Sequence, residues 1–239
     1  MILETLYVRM MRILRHLARS WGILTLLEKG SPGSARLWLR SLFAIHDVDD
    51  LIGLDLPWWT LESTGLVERF LARRSDASVF EFGSGASTVW LAKRANRVAS
   101  VEHDPRWVET MALRLISFNN VTLRSPNLGD GLTEGATHSE RRGWTAPDFR
   151  PYVAEVASGG PWDLVVIDGR CRVACLHASI PHLKPDGIIL FDNSNRRRYR
   201  NGIASSGLVR LCTRGKTVSL PYPEETSLLA RRLEWLDPG

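Results

Sequence analysis

The sequence predicts an α/β fold built on a single sheet. Three observations support it. From Ser78 onward, short apolar runs alternate with longer segments of helical periodicity. A glycine-rich turn follows the first of these runs, and acidic residues follow several of the later ones. The chain has 239 residues, of which 44% are hydrophobic, and this length suits one domain with extensions. We therefore expect a Rossmann-like, mostly parallel, seven-stranded sheet with helices on both faces.

The alternation assigns the elements in order. Strands are expected at 78–82, 97–102, 121–124, 163–168 and 187–192, and two more near 208–213 and 226–231. Helices are expected at 63–74, 87–95, 105–117, 149–157 and 172–183, and a short one near 196–205. The segment 125–148 has no apolar period and is long for a connection in an α/β unit. It is expected to be a lid or substrate loop, or else to be disordered.

An N-terminal helical extension, residues 1–60, is expected before the α/β domain at 61–239. Between residues 3 and 27, apolar positions recur at helical spacing and arginines follow a separate stripe. Arginines interrupt the apolar stretch and no cleavage site follows, so a signal peptide is not expected. This cationic helix would pack on the domain or form a homodimer, or it would make a peripheral contact with an anionic membrane. A second helix is expected over 35–44.

Charge and cysteine content exclude several classes of protein. Residues 1–40 contain seven Lys or Arg and two Glu, so the whole net charge of +5 belongs to this segment and the rest is neutral. The basic pI is therefore no evidence for nucleic-acid binding. Cys171, Cys175 and Cys212 are too scattered for a disulfide framework or a zinc site. No apolar run reaches the roughly 20 residues of a membrane span. A cytoplasmic protein is expected.

The glycine-rich turn after the first strand predicts a ligand site. Gly83 and Gly85 leave room for a ligand at the carboxyl end of that strand. Glu102 ends the second strand, where an acidic group accepts hydrogen bonds from both ribose hydroxyls of an adenosine ligand. Glu81 before the turn disfavours pyrophosphate, and Thr88 replaces the third glycine or alanine of dinucleotide sites. A ligand with a sulfonium and an amino-acid tail fits better than NAD.

These segments resemble a known family. EFGSGAST resembles the glycine-rich first motif of class I S-adenosylmethionine-dependent methyltransferases, SVEHD their acidic second-strand motif, and WDLVVIDG and LKPDGIILFDN their fourth and fifth strands. The resemblance covers residues 78–193 and departs from many members at Ser87, where they carry a third glycine. The stretches LPWWT, VIDGRCR, FDNS and PYPEETSLL are further similar to a bacterial subgroup whose methyl acceptor is not assigned.

The resemblance implies roles for individual residues. It places the methionine and sulfonium part of the cofactor against Glu81, Gly83, Ser84 and Gly85, the ribose on Glu102, and the adenine between His103 and Asp104. It makes Asp168, after the fourth strand, the first catalytic candidate, and His138 and His103 are further candidate bases. The implied reaction is methylation, most simply O-methylation, of a small molecule or a glycan-type metabolite.

A metal is a further expectation at the same edge of the sheet. Asp168, Asp192 and Asn193 would give Mg²⁺ three oxygen ligands of the kind it prefers. The arrangement resembles that of metal-dependent catechol-type O-methyltransferases, in which the ion lowers the pKa of the acceptor hydroxyl. In the alternative, Asp192 and Asn193 cap the next turn and Asp168 hydrogen-bonds backbone.

Other residues bear on the acceptor. Arg170 and Arg172 would bind an anionic acceptor or begin a solvated helix. Trp144 would form part of the wall of the acceptor pocket. Only one of the adjacent Trp58 and Trp59 can face it. The run 196–200 has an aromatic residue among its arginines, as do proteins that bind single-stranded nucleic acid. Because the rest of the chain is neutral, a solvated helix start or recognition of one acidic acceptor is expected instead. A nucleic-acid methyltransferase and a non-catalytic cofactor-binding regulator stay open as alternatives.

Overall fold

The computed structural model of the chain describes residues 2–140 and 143–234. Its helices are α1 (Ile2–Ser20), α2 (Ile23–Glu28), α3 (Ala35–Ser41), α4 (Val48–Gly53), α5 (Leu61–Ala72), α6 (Ala86–Ala92), α7 (Pro105–Leu115), α8 (Arg150–Ala154), α9 (Arg172–Ser179) and α10 (Arg200–Ala204). Its strands are β1 (Ser78–Phe82), β2 (Arg97–Val101), β3 (Val121–Arg124), β4 (Trp162–Ile167), β5 (Leu183–Asp192), β6 (Val209–Thr217) and β7 (Leu220–Ala230). Residues 141–142 of the expected loop and 235–239 of the expected domain lie outside the described residues.

The strands form one seven-stranded sheet in the order β3-β2-β1-β4-β5-β7-β6. The first five strands are parallel, and β7 runs antiparallel to both β5 and β6. Strands β1 and β4 are buried along their whole length, as expected for parallel strands covered by helices on both faces. Phe80 and Val165 pack in the core on one face, and Val79 and Leu164 in the core on the other. The expected Rossmann-like α/β fold is confirmed.

The N-terminal elements differ from the expectation of one helix over 3–27. The helix breaks at Gly22, whose φ of 69° is left-handed, and this break separates α1 from α2. Helix α4 was not expected, because six residues are too few for a clear apolar period. Its signal is the cap at Asp47, whose carboxylate accepts a hydrogen bond from Asp50 N at 3.0 Å.

The extension is fixed to the sheet and to itself by buried polar contacts. Trp38 Nε1 donates to Thr217 O at 3.1 Å, and Ser219 N donates to Ser41 Oγ at 3.0 Å. The Arg40 guanidinium is buried and donates to both carboxylate oxygens of Asp50 at 2.9 and 2.7 Å, and to Glu28 at 2.7 Å. Such bidentate pairs fix orientation, so α2, α3 and α4 form one unit. Within the described chain, none of the helices combines the length and hydropathy that a membrane span requires.

Candidate active site

A cavity of about 1410 Å³ opens at the carboxyl ends of β1, β2, β4 and β5. It lies where the strand order reverses between β1 and β4, which is the usual ligand position in open α/β sheets. The sequence-predicted residues that line it are Gly83, Ser84, Gly85, Glu102, His103, Asp104, His138, Trp144, Asp168, Arg170, Arg172, Asp192 and Asn193. One topology therefore brings together motifs that are more than 100 residues apart in the chain.

The glycine turn lies directly against the end of β4. Gly83 has a φ of 95°, and a Cβ on it would lie 2.8 Å from the Cα of Gly169. Only glycine fits this close approach without a shift of the backbone. The turn then enters α6, where Gly85 N donates to the Thr88 hydroxyl at 2.9 Å. The backbone between Gly83 and Gly85 is thereby held open to the cavity.

Glu81 lies beneath this turn and does not reach the cavity. Its side chain is fully buried, and its carboxylate accepts hydrogen bonds from Ser87 Oγ and Thr88 Oγ1, both at 2.5 Å, and from Ser100 Oγ at 2.7 Å. Burial raises the pKa of Glu81 to about 7. The expected direct contact with the methionine part of a cofactor does not fit this position, because three hydroxyl groups of the protein surround the carboxylate. Glu81 instead supports the turn from below.

Glu102 presents its carboxylate to the cavity. It accepts backbone N–H groups of His103 at 2.7 Å and Asp104 at 2.9 Å on Oε1, and that of Ser84 at 3.2 Å on Oε2. His103 Nδ1 also lies close to Oε1, whereas Oε2 accepts one hydrogen bond only, so Oε2 has capacity for a further donor. The three backbone donors also fix the orientation of the group.

His103 lies in an aromatic pocket beside Glu102. The centroid of its ring is 4.4 Å from that of Trp144, 5.7 Å from that of Phe149 and 6.1 Å from that of Tyr152. Its Nδ1 lies 2.5 Å from Glu102 Oε1. Flat apolar surface beside a fixed carboxylate suits a planar heterocycle attached to a ribose.

Arg172, at the start of α9, lies between the two aspartates that end β4 and β5. Its Nη2 donates to Asp168 Oδ1 at 2.7 Å, and its Nη1 donates to Asp192 O at 2.5 Å and lies 3.7 Å from Asp192 Oδ2. Thr226 Oγ1 donates to Asp192 Oδ1 at 2.8 Å. Asp192 is therefore enclosed by structural partners, while 26% of the Asp168 side chain is exposed.

Residues 80–194 match the sequence model of a methyltransferase domain, and this range holds the glycine turn, Glu102, Asp168 and Asp192. The chain carries a class I methyltransferase domain. It is an S-adenosylmethionine-dependent methyltransferase, as the sequence motifs indicated. No curated protein is similar enough to the chain to be matched.

Several solved structures resemble the methyltransferase in fold. Precorrin-6y C5,15-methyltransferase from Geobacter metallireducens GS-15 is 16% identical, with a TM-score of 0.48 over 70% of this chain and 86% of that one. A methyltransferase-like protein from Silicibacter pomeroyi DSS-3 is 22% identical, with a TM-score of 0.45 over 73% and 88%. The N-methyltransferase NodS from Bradyrhizobium japonicum WM9 is 14% identical, with a TM-score of 0.45 over 70% and 92%.

The expected Mg²⁺ site is not supported in this methyltransferase. Among the residues that the structure describes, no group of three or more His, Cys, Asp or Glu side chains could hold a metal ion. The Arg172 guanidinium lies between Asp168 and Asp192, and its charge would repel a second cation there. The Asp192 carboxylate accepts a hydrogen bond from Thr226 Oγ1 and lies 3.7 Å from Arg172 Nη1, and a cap by Asp192 and Asn193 on the next turn stays a prediction. Asn193 follows with a left-handed φ of 51°, which begins the next turn.

The segment 125–148 forms one wall of the cavity. Gly129 and Asp148 exchange two backbone hydrogen bonds of 3.0 and 2.9 Å, and Thr137 N donates to the Asp148 carboxylate at 2.9 Å. This closure brings His138 and Trp144 to the cavity. In its described residues, 125–140 and 143–148, the segment is therefore packed against the site.

The remaining aromatic and arginine residues divide between core and cavity. Trp58 lines the cavity and Trp59 is fully buried, so one of the pair faces the site, as predicted. Tyr199 packs on Phe191 with a centroid distance of 5.2 Å and is buried, so it is not available to stack on a nucleic-acid base. Of its arginine neighbours, Arg196 and Arg198 line the cavity.

Sequence reasoning missed three cavity residues from distant segments. Tyr7 of α1, His46 before α4 and Tyr222 of β7 all line the cavity. Two of them belong to the extension, which carries no methyltransferase motif, and the third lies in an edge hairpin. Tyr222 lies within the subgroup stretch PYPEETSLL, which was the one available signal.

Proposed function

We propose that this methyltransferase methylates an oxygen of a small-molecule or glycan-type acceptor and that Asp168 is its general base. One observation carries the proposal. Asp168 Oδ1 is held by Arg172, while Oδ2 accepts no hydrogen bond from any described residue and the side chain is open to the cavity. A fixed carboxylate with one free oxygen can accept the proton of an acceptor hydroxyl.

The cofactor side of the cavity fits a phosphate-free adenosine ligand. When bound, S-adenosylmethionine supplies an activated methyl group for in-line displacement. In the proposed arrangement, the open backbone from Gly83 to Gly85, with Ser84, holds the methionine part. Glu102 binds the ribose through Oε2, and His103 and Asp104 border the adenine. These residues orient the cofactor, and alignment is the larger requirement of this chemistry.

Burial raises the pKa of Asp168, although the charge of Arg172 opposes the rise. A raised pKa makes the carboxylate a better proton acceptor than a solvated aspartate. Arg172 keeps the group oriented and provides the positive charge that a metal would otherwise provide at this position. The base therefore acts without a metal ion in this proposal.

The size and lining of the cavity favour a small acceptor over a nucleic acid. Its volume of about 1410 Å³ exceeds the roughly 300–1,000 Å³ of an ordinary ligand pocket, so a cofactor and a second small molecule fit together. Arg198 pairs with Glu140 at 2.9 Å, and Tyr199 is buried. The arginine-rich run therefore lacks the exposed aromatic surface of a single-strand track.

The test compares two variants with opposite expected effects. Asp168→Asn should bind S-adenosylmethionine as the wild type does in calorimetry but lose at least about 100-fold in turnover, the usual contribution of a general base. Glu102→Ala should weaken cofactor binding by about 1–3 kcal/mol. Turnover is measured as S-adenosylhomocysteine release with metabolite and glycan fractions. A fully active Asp168→Asn enzyme would refute the base, and cofactor binding without turnover on any fraction would favour the regulatory alternative.

Two further assignments accompany the proposed activity. We assign residues 1–60 as an extension that completes the cavity and residues 61–239 as the cofactor-binding domain. We place the enzyme in the cytoplasm, because Cys171, Cys175 and Cys212 are all free thiols and a reducing compartment preserves this state.

A further inference from the structure

The N-terminal segment exposes a row of large apolar side chains. Met10, Ile13, Leu14 and Leu17 of α1, with Trp21 just after it, recur three or four positions apart and so share one side of the helix. We call these five residues the apolar stripe. Their exposed fractions run from 42% at Leu14 to 75% at Trp21. A contiguous exposed row of this kind marks an interaction surface, unlike scattered single residues.

The apolar stripe is exposed although α1 is firmly attached to the body. Another side of the helix packs inward through Met11 and Ala18, which are both buried. Arg15 forms ion pairs with Asp47 at 2.5 Å and Asp50 at 3.1 Å. These contacts fix the rotation of α1, so the apolar stripe faces outward in the folded enzyme.

Unpaired cations lie on the polar side of the same helix. At 3.6 residues per turn, Arg12 and Arg19 lie roughly opposite the middle of the apolar stripe, and Arg9 lies about a quarter turn from it. Arg9, Arg12 and Arg19 are exposed, and none of them forms an ion pair or hydrogen bond with a described residue. Arg40 of the same extension, in contrast, is neutralised by Glu28 and Asp50. The exposed part of α1 therefore has an apolar side and a separate side with three positive charges.

We propose that α1 docks the methyltransferase onto an anionic lipid bilayer, with the apolar stripe in the headgroup region and Arg9, Arg12 and Arg19 on the polar side of the helix, where their charges attract the anionic surface. Amphipathic helices that lie in the membrane interface combine these two features. Trp21, the most exposed member, has the amphipathic ring that is enriched at this depth.

Docking would also orient the active site. Tyr7 belongs to α1 and lines the cavity, so the membrane-bound helix borders the place where the acceptor enters or binds. The docking surface itself requires neither the proposed acceptor nor the proposed base.

Vesicle flotation of the full chain tests the docking. The chain should float with phosphatidylcholine vesicles that contain phosphatidylserine and should remain unbound with phosphatidylcholine alone, and added salt should release it. Ile13→Gln/Leu17→Gln should reduce the bound fraction at least about tenfold. Arg9→Gln/Arg12→Gln/Arg19→Gln should abolish the preference for phosphatidylserine.

Two exposed apolar residues outside α1 provide a matched control. Leu113 and Ile116 are also exposed, at 74% and 82%, but lie at the end of α7 and beyond. Leu113→Gln/Ile116→Gln should float as the wild type does. Every variant should retain S-adenosylmethionine binding, which shows that it is folded.

Three results would overturn the inference. The first is a wild-type chain that does not float with phosphatidylserine vesicles, and the second is equal binding to both vesicle types. The third is a dimer in light scattering that Ile13→Gln/Leu17→Gln dissociates, because the apolar stripe would then be a subunit interface.

Discussion

Arg172 holds the two carboxyl groups of the site together, and its removal should affect both. Arg172→Met would leave Asp168 and Asp192 facing each other without the intervening charge. Loss of one partner from a largely buried ion pair costs about 3 kcal/mol or more, so the free energy of unfolding should fall by that order. Arg172→Lys should recover part of the loss. Urea denaturation of the three proteins measures this, and equal stability of the methionine variant would contradict the bridging role.

Glu81 should make the stability of the protein pH-dependent. The pKa of Glu81 is about 7 in the folded protein and about 4.5 in the unfolded chain. Between pH 4.5 and pH 7 the folded state therefore keeps a proton that the unfolded state releases. The free energy of unfolding must therefore fall as the pH rises from about 4.5 to about 7, by on the order of 3 kcal/mol. In the Glu81→Gln variant, the free energy of unfolding should not show this decrease. Urea denaturation at pH 5 and pH 8 compares the two proteins, and parallel pH profiles would show that Glu81 ionises normally.

The sequence predicts some positions of single residues better than others. Glu102 could be placed at the cavity because it ends a strand next to the glycine turn. Glu81 is expected from the resemblance to face the cavity, but the structure buries it beneath the glycine turn, and strand alternation is the signal for that position. Phe80 and Phe82 point to one face, so Glu81 must point to the other, where α6 brings Ser87 and Thr88. The Arg172 bridge depends on the packing of α9 against two strands, which no local pattern encodes.

At the scale of elements, the 125–148 loop completes the expected adenine pocket through Trp144. The ring of Trp144 packs edge-on against His103, so Trp144→Ala should weaken S-adenosylmethionine binding by about 0.5–1.5 kcal/mol. Calorimetry measures the affinity. Trp21→Ala is the matched control, because this exposed tryptophan lies on α1 and is not part of the cavity lining. Equal losses in the two variants would mean that the loop does not contribute to the cofactor pocket.

The periodic elements were predictable, and the irregular ones were not. Buried parallel strands are continuous apolar runs, so β1, β2, β4 and β5 stand out in the sequence. The 3₁₀ turn Ile180–His182 ends the ninth helix early and lets β5 begin at Leu183 rather than at 187. The β6–β7 hairpin was recognised only in part, because its outer strand is half-exposed and carries little apolar signal.

At the scale of the whole molecule, the boundary expected at residue 60 divides the segment without methyltransferase motifs from the segment that contains them. The two segments nevertheless share an apolar core. Leu51 and Leu56 of the extension share one apolar cluster with Ala86 at the start of α6 and Val218 beside the β6–β7 hairpin. Tyr7, His46 and Trp58 line the cavity from the same segment. The extension therefore provides both core packing and part of the cavity wall, although its sequence contains no methyltransferase motif.

Removal of the extension should consequently damage the catalytic domain. A chain that begins at residue 61 exposes Ala86 and Val218 and loses the burial of several leucines, each worth about 1.5–3 kcal/mol. A chain that begins at residue 23 lacks α1 but keeps Leu51 and Leu56. We expect the shorter truncation to bind S-adenosylmethionine without floating on phosphatidylserine vesicles, and the longer one to melt at a clearly lower temperature and bind the cofactor weakly. If residues 61–239 melted and bound as the full chain does, the extension would be an appendage and the cavity wall it forms would have no role in cofactor binding.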